Sequence, residues 1–125
     1  GGLTSLNKDE TIKKFGSKQV NIWRRSFNTP PPKINSENPY KDKIDSNILI
    51  ESLRDTFERV IPFYEKEVEP LISKNKNVLI VFHGNSCRSL LKKIFKISNN
   101  SIIKVEVPTG NPLLINFEKR YTKIL

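Results

Sequence analysis

The longest helical stripe in the sequence is Leu53, Phe57, Val60, Ile61, Tyr64, Val68 and Leu71, apolar positions that keep to one face of a helix. Pro62 and Pro70 interrupt it. An interior proline removes a donor and clashes with the preceding turn, so a kink near the first and an end near the second are predicted. Residues 74–77 are polar and read as a turn. They lead into VLIVF (78–82), apolar at every position, as strands buried on both faces of a sheet are. Asn85 or Ser86 then caps a helix that carries Leu90, Leu91, Ile94 and Phe95, with lysines on its other face.

Nearer the start, Asn7 followed by Glu10 has the form of a capping box, with Ile12 and Phe15 as a short apolar face before Gly16. Ser17 is placed to cap a second helix whose inward positions are Val20, Trp23 and Phe27, and Pro30, Pro31 and Pro32 stop it. Residues 33–47 are polar and aperiodic and read as a surface loop. Towards the other end, Ser98, Asn99 and Asn100 break the fourth helix. Residues 102–107 fit a short helix or a strand, 108–112 (PTGNP) a turn, and 113–117 a last strand before a basic tail. The expected fold is α/β, one domain over 1–125, with a mostly parallel sheet flanked by helices. Only two strands are legible, however. A strand buried on both faces needs neighbours on both sides, so the core is expected to be incomplete.

Composition narrows the function. The chain has 125 residues, 36% of them hydrophobic, which suits one small domain. No stretch has the length to span a bilayer, and no basic region followed by an apolar run suggests a signal peptide. Cys87 is the only cysteine, which excludes an internal disulfide framework and fits the cytoplasm. With one cysteine and one histidine a structural zinc site is not expected. Lysine and arginine total 22 against 13 acids, a formal charge of +9. That balance attracts anions. The lysines are scattered and no DNA- or RNA-binding motif is present, so small phosphorylated or carboxylated ligands are favoured over nucleic acid.

The candidate chemistry starts at His83, delivered to the carboxyl end of the 78–82 strand beside a helix start. Ligands bind there in open α/β sheets, and helix N-termini favour anions. The alternative is a satisfied core histidine. Asn85 and the N–H groups behind it could receive an oxyanion or simply cap the helix. Arg24 and Arg25, adjacent after Trp23, suit phosphate through their planar forks, or else form a solvated basic face. Lys8 is uninformative by itself. Cys87 reads as a packing residue, since no second group marks it as a nucleophile.

Together these segments resemble the cofactor-dependent phosphoglycerate mutases of the histidine phosphatase group. The stretch from Gly1 through IWRRSF to the triple proline, Glu51-Ser52-Leu53, VLIVFHGNSCR (78–88) and VPTGNPLLINFE (107–118) carry the resemblance, in register from end to end. It implies that Lys8, Arg24 and Arg25 contact substrate phosphate and carboxylate. It implies that His83 is the second active-site histidine, which stabilises the phosphoryl-transfer transition state, and that Gly84 and Asn85 contact the ligand. It also implies 2,3-bisphosphoglycerate as the primer, no metal, and interconversion of 3-phosphoglycerate and 2-phosphoglycerate through a phosphohistidine.

The family's phosphorylated histidine, in an Arg-His-Gly motif on the first strand, and its glutamate proton donor have no counterpart here. One histidine cannot be both carrier and stabiliser. The resemblance is therefore to the C-terminal portion of a mutase, expected to be inactive by itself. An open sheet edge is a template for another chain. A homo-oligomer, or pairing with an N-terminal half, is expected. The alternative is a non-catalytic remnant with residual anion binding.

Overall fold

The structure, a computed structural model, describes residues 1–43, 50–118 and the backbone of 121–124. Helix α1 (Lys8–Phe15) starts where it does because Asn7 is extended and its Oδ1 accepts from the N–H groups of Asp9 (2.8 Å) and Glu10 (3.3 Å). Asp9 and Glu10 in its first turn and Lys13 and Lys14 in its last complement the helix dipole. Gly16, at φ +81°, turns the chain into α2 (Ser17–Arg25). Gly16 rather than Ser17 holds the cap position of α2, with no side-chain bond. The helix ends at Arg25, because Ser26 is already extended, so Phe27 lies beyond it. Phe15 and Trp23 meet edge to face at 5.2 Å and tie α1 to α2.

Helix α3 (Leu53–Phe63) opens on a complete capping box. Ser52 Oγ accepts from Asp55 N–H, and the Asp55 carboxylate accepts from both Ser52 N–H (2.7 Å) and Ser52 O–H (2.6 Å). Pro62 sits inside α3 without ending it, and a π-turn (Tyr64–Val68) follows directly. In that turn Glu69 N–H donates to Tyr64 O. The wider turn resets the register and leaves Pro70 in the first turn of α4 (Glu69–Ser73), where a proline needs no acceptor. The helical stretch thus runs on to Ser73, past the end expected near Pro70.

Helix α5 (Gly84–Ile94) packs across this stretch. Tyr64, Val68 and Leu90 form the buried cluster, with Ile72, Val78, Ile80 and Ile94 against it. A second buried point joins Val20 of α2 to Ile102 of a 3₁₀ turn (Ile102–Lys104), both fully inaccessible. The ambiguous 102–107 stretch is therefore a short helical turn at its start. The 33–47 loop is described to Lys43. Its Asn38 is buried and donates to the carbonyls of Gly2 and Thr4, which holds the loop against the first residues. Positions 44–47, and 119, 120 and 125 of the basic tail, lie outside the described residues.

The sheet differs most from expectation. Residues 78–82 are not a buried strand. No backbone group in them is hydrogen bonded among the described residues. Val78 and Ile80 turn to the core cluster, while Leu79 and Val81 are 90% and 91% exposed. An extended run becomes a strand only through neighbours on its edges, and none pairs with it among the described residues. The one described sheet pairs β1 (Leu113–Asn116) with β2 (Tyr121–Ile124), antiparallel, Leu113 opposite Ile124 and Asn116 opposite Tyr121. Among the described residues the only strand pairing is this local hairpin, whose short connection permits only antiparallel pairing, and no parallel pairing is seen among them. Its second strand lies in the stretch read as a basic tail.

Candidate active site

One open cleft of about 1400 Å³ is lined by residues 78–85 and 107–118 together with residues of α1, α2, the π-turn and α5. Lys8, Arg24, Arg25, His83, Gly84 and Asn85 all line it. The sequence names these six from separate segments, and the fold brings them to one hollow.

His83 is exposed and occupies the cap position of α5. Its Nδ1 accepts from Asn85 N–H at 3.3 Å, so the imidazole caps the helix that Asn85 or Ser86 was expected to cap. With Nδ1 accepting, the neutral ring carries its proton on Nε2, which is left as a donor. A Cβ built at Gly84 meets no atom within 4 Å, so no packing in the described chain demands glycine there. Its N–H, unbonded at the start of α5, is open to close approach.

The arginine pair is split in its bonding. The Arg24 side chain is exposed and makes no ion pair among the described residues. Arg25 donates to Val105 O (3.3 Å) and pairs with Glu106 (3.1 Å), an exposed contact that an anion could replace. Lys8 opens α1 at the rim and is exposed. Of the two glutamates on the cleft, Glu51 is bidentate to Arg59 (2.6 and 3.1 Å). Those bonds hold its carboxyl below the usual range against an opposing burial effect. Glu118, the other, is exposed. Against these two carboxylates, Lys8, Arg24, Arg25, His83 and the Gly84 N–H offer donors and cations, the complement of a phosphate or carboxylate.

Arg88 is the residue that sequence reasoning passed over. It is 4% exposed, and its guanidinium spans α5, α2 and the Ile102–Lys104 turn. Burial, and then the charge of Arg25, pull its pKa below the ordinary arginine value. Its place among buried Cys87, Leu90 and Leu91 was the available signal: a cation on the apolar face of a helix. Cys87 is buried and unpaired, and burial pushes its thiol up, as befits a packing residue. Among the described residues no three His, Cys, Asp or Glu side chains converge as metal ligands, and no helix is long and apolar enough to cross a membrane.

Comparison with known proteins gives the family of the chain. The profile of the histidine phosphatase superfamily, branch 1, matches residues 1–125. A 2,3-bisphosphoglycerate-dependent phosphoglycerate mutase of Buchnera aphidicola is 43% identical over 99% of this chain and 58% of its own length. The mutase of the same name from Maricaulis maris is 42% identical over 94% of the chain and 52% of its own length. That of Treponema denticola is 43% identical over 97% and 53%. The chain thus spans little more than half the length of these relatives.

Proposed function

Because the chain belongs to the histidine phosphatase superfamily, branch 1, an α/β family, we propose that it supplies the substrate-anion side of a 2,3-bisphosphoglycerate-dependent phosphoglycerate mutase. The convergence of Lys8, Arg24, Arg25, His83, Gly84 and Asn85 on one cleft carries this reading. In it, Arg24, Arg25 and Lys8 bind the phosphate and carboxylate of a phosphoglycerate. The Arg25 fork leaves Glu106 to do so. His83 Nε2–H and the Gly84 N–H donate to phosphoryl oxygens, and Asn85 borders the same anion. Phosphoryl transfer rests on positioning and on donors aimed at developing charge, which is what these groups offer. The donor-only set also fits 2,3-bisphosphoglycerate, which when bound supplies the phosphoryl group; Lys8, Arg24 and Arg25 would hold it.

His83 is the only histidine, and its Nδ1 is committed to the helix cap. The chain alone therefore has no second imidazole to carry a phosphoryl group and turns over no substrate. We place the partial domain, 1–125, in the cytoplasm, where Cys87 stays reduced. Its partner is an extended segment from the part of the relatives that this chain does not span. It lies along residues 78–82, bonds their free backbone groups and covers Leu79 and Val81.

Titration with 3-phosphoglycerate tests the site. Saturable binding is expected, weakened at least tenfold by R24A/R25A, about 1.4 kcal/mol. Binding that the double substitution leaves unchanged would remove these arginines from the site. Mixing the chain with the unmatched stretch of the Buchnera relative tests the partner. A one-to-one complex is expected by light scattering, and a coupled enolase assay reads any restored turnover. A homodimer that excludes the added stretch, or robust turnover by the chain alone, would overturn this account.

A further inference from the structure

We propose that Arg88 is the positioning residue of the anion site, the single side chain that fixes the end of α2, with Arg24 and Arg25, against the start of α5, with His83 and Asn85. The inference rests on the function proposed above. It goes beyond it by assigning a role to a residue that does not touch substrate.

The geometry starts from a general deficit. The last four carbonyls of a helix have no intrahelical donor. In α2 those include the carbonyls of Arg24 and Arg25. Arg88 Nη2 donates to Arg25 O at 2.8 Å and to Ile102 O at 2.6 Å. Arg88 Nη1 reaches Arg24 O and Asn85 Oδ1, each at 3.4 Å. A residue of α5 thus caps α2 from outside, and the same guanidinium holds the Asn85 amide. The planar fork fixes all these directions at once, which a lysine cannot do.

No carboxylate pairs with Arg88 among the described residues, and its Nε has no partner. Its charge is met by carbonyl dipoles and by the negative end of α2. A buried cation held this way is a poor stabiliser, and an apolar side chain of similar length would fill the space. What an apolar side chain cannot do is hold two backbone carbonyls beside an arginine pair. Arg24 and Arg25 leave the chain from the very peptide groups that Arg88 clamps. Losing the clamp frees the last turn of α2 to fray, and the two forks lose their fixed distance from His83.

The test uses R88M and R88K in the full chain. Hydrogen exchange reads the clamp directly. The amides of Arg25 and Ser26 should exchange at least tenfold faster in R88M, while those of α3 stay as in the parent. R88K keeps a cation but only a point donor, so at least threefold faster exchange is expected. It is the variant to read if R88M does not fold. Parent-like exchange at these amides in a folded variant overturns the proposal. Affinity for 3-phosphoglycerate should fall at least fivefold in R88M and recover in part in R88K. Added to R24A/R25A, R88M should cost less than the fivefold it costs in the parent, because part of its effect passes through those arginines and only the remainder through Asn85. A further full loss on that background would mean direct contact and would also overturn it. A parent chain that does not bind 3-phosphoglycerate defeats the functional reading, while exchange still decides the clamp.

Discussion

Two faces of one five-residue run set the two halves of this molecule apart. Val78 and Ile80 pack on Tyr64, Val68 and Leu90, where the π-turn and α5 close a core with side chains 4–6% exposed. Leu79 and Val81, between them in sequence, stand about nine-tenths in solvent. On the first face α3 is capped by Ser52 and Asp55, and Lys93 of α5 pairs with Glu65 of the π-turn. On the second, the backbone edges find no partner among the described residues and the Leu79 and Val81 side chains stay exposed. The residues proposed to bind the anion line the cleft that this run also lines.

The contrast is broken most directly at its closed end. Leu90 is buried in the central cluster with Tyr64 and Val68, so Leu90→Ala removes packing between α5 and the π-turn. A loss of about 2–5 kcal/mol is expected in denaturant unfolding, as for other buried leucines. A change near zero would show that the cluster does not support the isolated chain.

The middle-sized effect concerns the cap that starts α3. Ser52→Ala should lower stability by about 1 kcal/mol, the usual loss for an N-cap serine. The same box makes a pH prediction. Hydrogen bonds from the Ser52 side chain and then its backbone hold the Asp55 carboxyl below its ordinary range. A depressed folded-state pKa gives stability that is present above the unfolded-state value, near 3.9. That stability is lost as pH falls through the folded value. Asp55→Asn should therefore flatten the acid limb of a pH–stability profile and leave its shape near neutrality intact. An acid limb as steep as the parent's would show that other carboxylates set it.

What was legible in the sequence follows the same division. Local signals were read well: the Asn7 cap, the α3 stripe, the 84–94 helix and the turn before β1 all rest on contacts within a few residues. Pro70 misled because a π-turn moved it into a first turn, a shift of register that hydrophobic spacing does not reveal. Residues 78–82 read as a strand because their composition is that of one; a sequence does not say whether the neighbours are present. His83 is legible from its place at the end of that run; its cap bond is not, because neighbouring Asn85 and Ser86 are the stronger cap formers. The role of Arg88 is not legible because two of its partners are carbonyls of α2, 63 and 64 residues away.

The smallest effect on the chain's own stability is the one that sharpens the comparison most. Leu79→Ser with Val81→Thr alters two side chains that touch almost nothing, so unfolding should shift by no more than about 0.5 kcal/mol. The same change should weaken docking of the unmatched stretch of the Buchnera relative at least a hundredfold. Covering a leucine and a valine contributes about 1.5–3 kcal/mol each, and one factor of ten in affinity is about 1.4 kcal/mol. Silent in the lone chain and severe in the complex is the signature of a face made for a partner. A variant that loses stability by itself would instead place Leu79 and Val81 in a core of this chain's own, and undamaged docking would place the partner elsewhere.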